Sequence, residues 1–169
     1  IGHEYVGVVE EVGDAVRSVS PGDFVIGGFY TSCNECAACR VGVHTSCERM
    51  TGYEGCQAEL IRVANADGTL VATPSAPPPD LIPSLLSLSD VMCTGWHGAV
   101  MARVRPGGSV AVVGDGAVGL SAVLAASQQG AATIVAMSRH PGRQALAREF
   151  GATHVVAERG EDGAAAVRE

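Results

Sequence analysis

The chain has 169 residues and is 47% apolar, enough to bury a core as one domain or two small ones. No apolar run reaches the roughly 18 residues that a membrane span requires. The net charge of −7 makes nucleic acid a poor partner, above all for residues 1–89, where 11 acids face 4 arginines, while residues 90–169 balance 7 against 7. All 11 basic residues are arginine, which excludes Schiff-base or P-loop lysine chemistry from these residues.

The chain opens Ile1-Gly2-His3-Glu4 without an initiator methionine and stops at Glu169 in an amphipathic Arg/Glu/Ala segment, the expectation for a piece of a longer protein lacking both ends. Residues 4–30 read as short strands: Tyr5 to Val12, a turn at Gly13-Asp14, and Phe24-Val25-Ile26 after Pro21-Gly22-Asp23. A small β-barrel-like domain is expected. Residues 57–63 read as a further strand, punctuated by Asn65-Ala66-Asp67-Gly68.

Between those strands, within a loop at 31–50, stand Cys33, Cys36, Cys39 and Cys47 at the spacing C-x2-C-x2-C-x7-C. Four thiolates closing on one ion make a tetrahedral zinc site with no open position, built for structure and not for turnover. Two disulfides and an iron–sulfur cluster are the alternatives. The tight spacing and the absence of a signal peptide weigh against the first, and the surrounding residues favour zinc over the second. Cys56 and Cys93 fall outside the spacing and are expected to be buried thiols.

The Pro-rich run Thr73 to Pro79 cannot sit in a regular ladder and is expected to connect two domains. From Asp80 to Val104 the apolar spacing is helical, with Leu81, Leu85, Leu88, Met92, Ala99, Val100 and Val104 as candidate buried positions. The last third then reads βαβαβ: a short buried strand at Ser109–Gly114, a helix from Leu120 to Gln129, a strand at Thr133–Met137, a helix from Gly142 to Phe150, and a strand at His154–Val156.

Gly114-Asp115-Gly116-Ala117-Val118-Gly119 follows the first of these strands and opens a helix, which is the context a G-x-G-x-x-G motif needs. Gly114 turns the chain, Gly116 lets backbone approach a pyrophosphate, Gly119 allows close helix packing, and Ala117 and Val118 carry amides at the positive end of the helix. At the end of the second strand, where an NAD site places a carboxylate, stand Met137-Ser138-Arg139-His140. Ser138 and Arg139 suit a 2′-phosphate, so NADP is favoured over NAD.

Gly2-His3-Glu4, with Gly7, Gly13 and Val16, completes G-H-E-x2-G-x5-G. With the cysteine loop and the nucleotide motif following in order, the chain resembles the zinc-containing medium-chain alcohol dehydrogenases along essentially its whole length. That resemblance implies an α/β protein: a partial GroES-like β-barrel catalytic domain at 1–89, followed by the first half of a Rossmann doubly wound parallel sheet at 90–169.

It further implies two zinc ions per intact subunit, the second held in a cleft between the domains. His3 matches the family's catalytic-zinc histidine and Glu4 the carboxylate that exchanges with water as a ligand. The remaining ligand is counted from Thr94-Gly95 and falls on Asp90, with Cys93 as the competitor; a family Cys ligand and proton relay would precede Ile1. Thr94 matches a threonine that packs by the nicotinamide. The intact protein is thus expected to be a cytoplasmic homo-oligomer, dimer or tetramer, moving a hydride between a small alcohol or aldehyde and NAD(P). A non-catalytic remnant that keeps the structural zinc and half of a nucleotide fold is the rival reading.

Overall fold

The computed structural model describes residues 1–53 and 55–168. The chain divides into two compact units, Ile1–Asp90 and Val91–Glu169.

In the first unit, β1 (Tyr5–Val8), β2 (Phe24–Gly27) and β3 (Leu70–Ala72) form an antiparallel sheet in that order. Tyr5 pairs with Gly27 and Val25 with Ala72. Val9, Val19 and Val25 form its core, with Val16, Leu70 and Ala72 packed around them. Two short helices, α1 (Ala37–Arg40) and α2 (Ala66–Thr69), punctuate the loops.

Residues 57–63 are not a strand, contrary to the sequence pattern. Both edges of β2 are already taken by β1 and β3. The amides of Gly55, Cys56 and Gln57 instead donate to the carbonyls of Gly2 and Ile1, each at 3.1 Å, so this segment straps the start of the chain that carries His3.

The helical run expected from Asp80 to Val104 is broken in two. α3 (Ile82–Leu86) passes through a 3-10 turn at Ser87–Ser89, and α4 (Val91–Met101) begins afresh after Asp90, whose φ of −146° and ψ of −71° are not helical. Of the expected buried positions Ala99 is buried, whereas Leu81, Leu88 and Val100 are exposed. The break at Asp90 resets the helical phase on which the pattern relied.

In the second unit, β4 (Ser109–Val113), β5 (Thr133–Met137) and β6 (His154–Val156) form a parallel sheet in that order, joined through α5 (Ala117–Gln128) and α6 (Pro141–Glu149) and followed by α7 (Gly160–Arg168). Ile134 and Ala136 on the central strand pack with Leu120, Val123 and Ala126 of α5, Ala147 of α6, and Ala152. β4 is half-buried where a fully buried strand was expected. It is an edge of the described sheet, and its alternate residues, such as Val113, face outwards.

Candidate functional site

Residues of three kinds gather in the two units. The first set is the cysteine loop, whose four Sγ atoms lie within 4.8 Å of one another. Tetrahedral zinc with bonds of about 2.3 Å asks for sulfurs about 3.8 Å apart, and Cys33 and Cys47 already stand at 3.5 Å. All four are free thiols.

Backbone amides aim at these sulfurs: Cys33 N–H and Arg49 N–H donate to Cys47 Sγ, both at 3.3 Å, and Cys36 N–H to Cys33 Sγ at 3.4 Å. Such amide contacts stabilise thiolate over thiol. Amides of Glu35 and Cys36 pull the Cys33 thiol below its ordinary value, and those of Cys39 and Glu48 bring Cys36 down to about 6. Burial pushes Cys39 up to about 12. The donor set and its amide contacts fit zinc, and Cys39 can be ionised in this buried place once a cation compensates it. Cys56 is buried as expected, but Cys93 is exposed near the start of α4.

The second set pairs residues that lie 87 positions apart. His3 Nε2 stands 3.0 Å from Asp90 Oδ2, with His3 half exposed and Asp90 largely buried. Two ligands of one tetrahedral zinc, bonded at about 2.1 Å, stand about 3.4 Å apart, so the pair fits a shared ion after a small opening. Phe29 and the His3 ring meet in a T-shaped arrangement, with centroids 6.0 Å apart at 64°. Ile1, Gly2, His3 and Tyr53 line a cleft of about 410 Å³. Glu4 is half-buried next to His3.

What holds this pair is Ser89, which the sequence reading passed over. Its hydroxyl accepts from Tyr5 N–H at 3.1 Å and donates to the Gly27 carbonyl at 2.5 Å. The residue before Asp90 is thereby pinned to the sheet two residues from His3. Tyr5 itself is buried, and its hydroxyl meets that of Tyr53 at 3.3 Å. Burial, and then the Tyr53 contact, raise its pKa well above the ordinary phenol value.

The third set lies in the second unit, where Thr94 is exposed on the first turn of α4. Gly114 has φ +127°, which favours glycine, and a methyl on Gly119 would collide with the Gly114 carbonyl. Gly116 differs: a Cβ there would meet nothing, and its φ of −81° suits any residue. No contact within the unit asks for glycine at 116, whereas a pyrophosphate brought to backbone amides does. Gly116, Ala117 and Val118 are exposed at the start of α5. The cradle thus fits a dinucleotide.

At the end of β5, Arg139 is exposed and Ser138 is only 1% exposed. Residues 137–140 hold no carboxylate of their own, yet one reaches them from another segment. Asp115, from the glycine turn, accepts from Ser138 Oγ at 2.8 Å and from Arg143 Nη1 at 3.0 Å. These two contacts, Ser138 first, hold its carboxyl below the usual range. Reading along β5 could not reveal an acid that arrives from another loop; the Asp inside the glycine motif was the available signal.

The profile described as "Alcohol dehydrogenase GroES-like domain" matches residues 1–75, and that described as "Zinc-binding dehydrogenase" matches residues 117–169. Glutathione-independent formaldehyde dehydrogenase of Pseudomonas aeruginosa is 36% identical over 166 residues, covering 89% of this chain and 42% of that protein. Among solved structures, the alcohol dehydrogenase TADH from Thermus sp. ATN1 is 36% identical with a TM-score of 0.83, over 95% of this chain and 48% of that one. A protein from Sinorhizobium meliloti 1021, solved bound to NADP, is 29% identical with a TM-score of 0.77, over 92% of this chain and 45% of that one.

A GroES-like unit followed by half of a Rossmann sheet, with a four-cysteine cluster in the first, is the architecture of a zinc-binding oxidoreductase. The chain belongs to the zinc-containing medium-chain alcohol dehydrogenase family. It spans about half the length of the curated relatives it matches. No helix among the described residues is long and apolar enough to cross a membrane.

Proposed function

We propose that the protein to which this chain belongs is a zinc-dependent dehydrogenase that interconverts a small alcohol with its aldehyde or ketone, using NADP(H) in preference to NAD(H). We read it as a cytoplasmic homo-oligomer. Residues 1–89 supply part of a catalytic zinc domain and 90–169 part of a dinucleotide-binding domain. The observation that carries the reading is the approach of His3 to Asp90, because nothing in a structural cage requires an imidazole and a carboxylate to meet across 87 residues.

In this reading Cys33, Cys36, Cys39 and Cys47 hold a structural zinc, which takes no part in the reaction. His3 and Asp90 hold a second ion, with Glu4 adjacent as an exchangeable ligand. Zinc bound there would supply Lewis acidity to a substrate oxygen. His3 contributes a neutral nitrogen donor and Asp90 a negative charge, which moderates the ion's net charge. Phe29 meets the His3 ring in a T-shaped contact.

The amides at Gly116, Ala117 and Val118 take the pyrophosphate at the start of α5. Arg139, exposed at the end of β5, faces the adenosine ribose and favours a 2′-phosphate, whereas Ser138, buried with its hydroxyl given to Asp115, serves that subsite only indirectly. The Sinorhizobium relative bound to NADP agrees with that preference. Thr94 steadies the nicotinamide.

Metal counting tests the reading. The protein should carry about two zinc ions per chain, and H3A and D90A should each carry about one while retaining the cysteine-bound ion. NADPH-coupled reduction of a short aldehyde should vanish in both variants. One ion per chain in the unmodified protein, with no turnover, would establish the non-catalytic alternative instead.

A further inference from the structure

Asp115 sits between the first two glycines of the phosphate-binding turn, yet its carboxylate does not point to open solvent. Its side chain is 11% exposed, against 55% for Arg143. Its two oxygens serve residues 23 and 28 positions further on: Oδ2 accepts from Ser138 and Oδ1 from Arg143. The turn, the end of β5 and the first part of α6 are thus joined by one acid.

The other contacts of Ser138 reinforce this arrangement. Its amide donates to the Val156 carbonyl at 2.9 Å, and its own carbonyl accepts from Gln144 Nε2 at 2.6 Å. Arg143 gives one N–H to Asp115 while more than half of its side chain stays exposed. A guanidinium fixed in this way loses less side-chain freedom when an anion arrives than a free arginine does. The pair with Arg143 also offsets the negative charge of Asp115, which would otherwise repel a phosphate.

We propose that Asp115 is the positioning residue of the ribose 2′ subsite: by anchoring Arg143 beside Ser138 it lets the unit distinguish a 2′-phosphorylated adenine nucleotide from its 2′-hydroxyl counterpart. This rests on the reading that the second unit takes NADP(H). It adds that discrimination is controlled from within the glycine turn, through Arg143, and not only by the residues at the strand end.

The test is calorimetric titration of the protein with 2′,5′-ADP and with 5′-AMP, which differ only at the ribose 2′ position. The unmodified protein should bind 2′,5′-ADP at least about tenfold tighter. In D115A that ratio should fall about tenfold, with 5′-AMP affinity held within about twofold, and D115N should lie between because it keeps the Ser138 contact but not the charge. In an R143A background D115A should lower the ratio no further, because the acid then has no arginine to anchor.

The proposal is overturned if the ratio in D115A and D115N is unchanged. It is equally overturned if 2′,5′-ADP binds tighter without the acid, which would make Asp115 a repulsive group, or if both ligands weaken in parallel. D115N serves where D115A does not fold. If the unmodified protein shows no preference for 2′,5′-ADP, the NADP reading itself fails. A clear preference that survives D115A removes only the role of Asp115.

Discussion

The hydroxyl of Ser89 accepts the backbone amide of Tyr5 across 84 residues of chain and hands its own proton to Gly27. The link places Asp90, next in sequence, beside His3, two residues ahead of β1. A side chain outside the proposed metal site thereby fixes the geometry of one within it.

Replacing this serine by alanine would strand a buried N–H and a buried C=O together. S89A should lose about 2–4 kcal/mol of stability, read as an earlier urea midpoint with an unchanged slope. The variant should also hold the His3/Asp90 metal more weakly than the cysteine-bound one. An unfolding curve superimposable on that of the unmodified protein would refute the positioning role.

The cysteine loop predicts a different pattern. C39S and C47S should each lower zinc content by about one ion per chain and leave the loop open to proteolysis between residues 33 and 49, because structural zinc sites contribute folding energy directly. C93S, altering the exposed cysteine outside the cluster, should change neither readout. Full zinc content in C39S would count against the cage.

Two glycines of the nucleotide turn should separate fold from ligand. G119A forces a methyl against the Gly114 carbonyl and should lower the melting temperature markedly. G116A meets open space and should melt within a few degrees of the parent, yet bind NADPH at least about tenfold more weakly because backbone can no longer reach the pyrophosphate. Equal NADPH binding in G116A and the parent would argue against the assigned phosphate position.

An acid limb of stability is expected from Asp67. The Ser18 hydroxyl, then the amides of Arg17 and Ser18, hold its carboxyl below the usual range. Its folded pKa lies below its unfolded one, so it contributes stability above about pH 4 and loses it as pH falls through the lower, folded value. Melting of D67N should therefore trail the parent at pH 6 and converge with it near pH 2. A gap that stays constant with pH would assign the effect to packing alone.

What could be read from the residue order was whatever lies close together along the chain. The C-x2-C-x2-C-x7-C spacing, the strand-to-helix glycine turn and the βαβαβ order all span short stretches, and each has a counterpart in the fold. The His3–Asp90 encounter was reachable only through the family resemblance, since neither residue carries a local signal for the other. Ser89, Asp115 and Arg143 stayed hidden because their roles depend on tertiary hydrogen bonds between distant segments. The strand expected at 57–63 failed for a similar reason: its alternation was genuine, but β3 had already occupied the free edge of β2.

The cysteine cluster and the histidine–aspartate pair also differ in the stretch of polypeptide each must close, 14 residues from Cys33 to Cys47 against 87 from His3 to Asp90. Loop closure is less costly for the shorter span and needs no partner strand. On the proposed assignment, a nascent chain can therefore assemble its sulfur ligands soon after they leave the ribosome, whereas His3 and Asp90 wait for synthesis to pass Asp90 and for Ser89 to dock. Metal would be acquired in two stages, and a protein starved of zinc late in its synthesis would be expected to emerge folded around the first ion and still lacking the second.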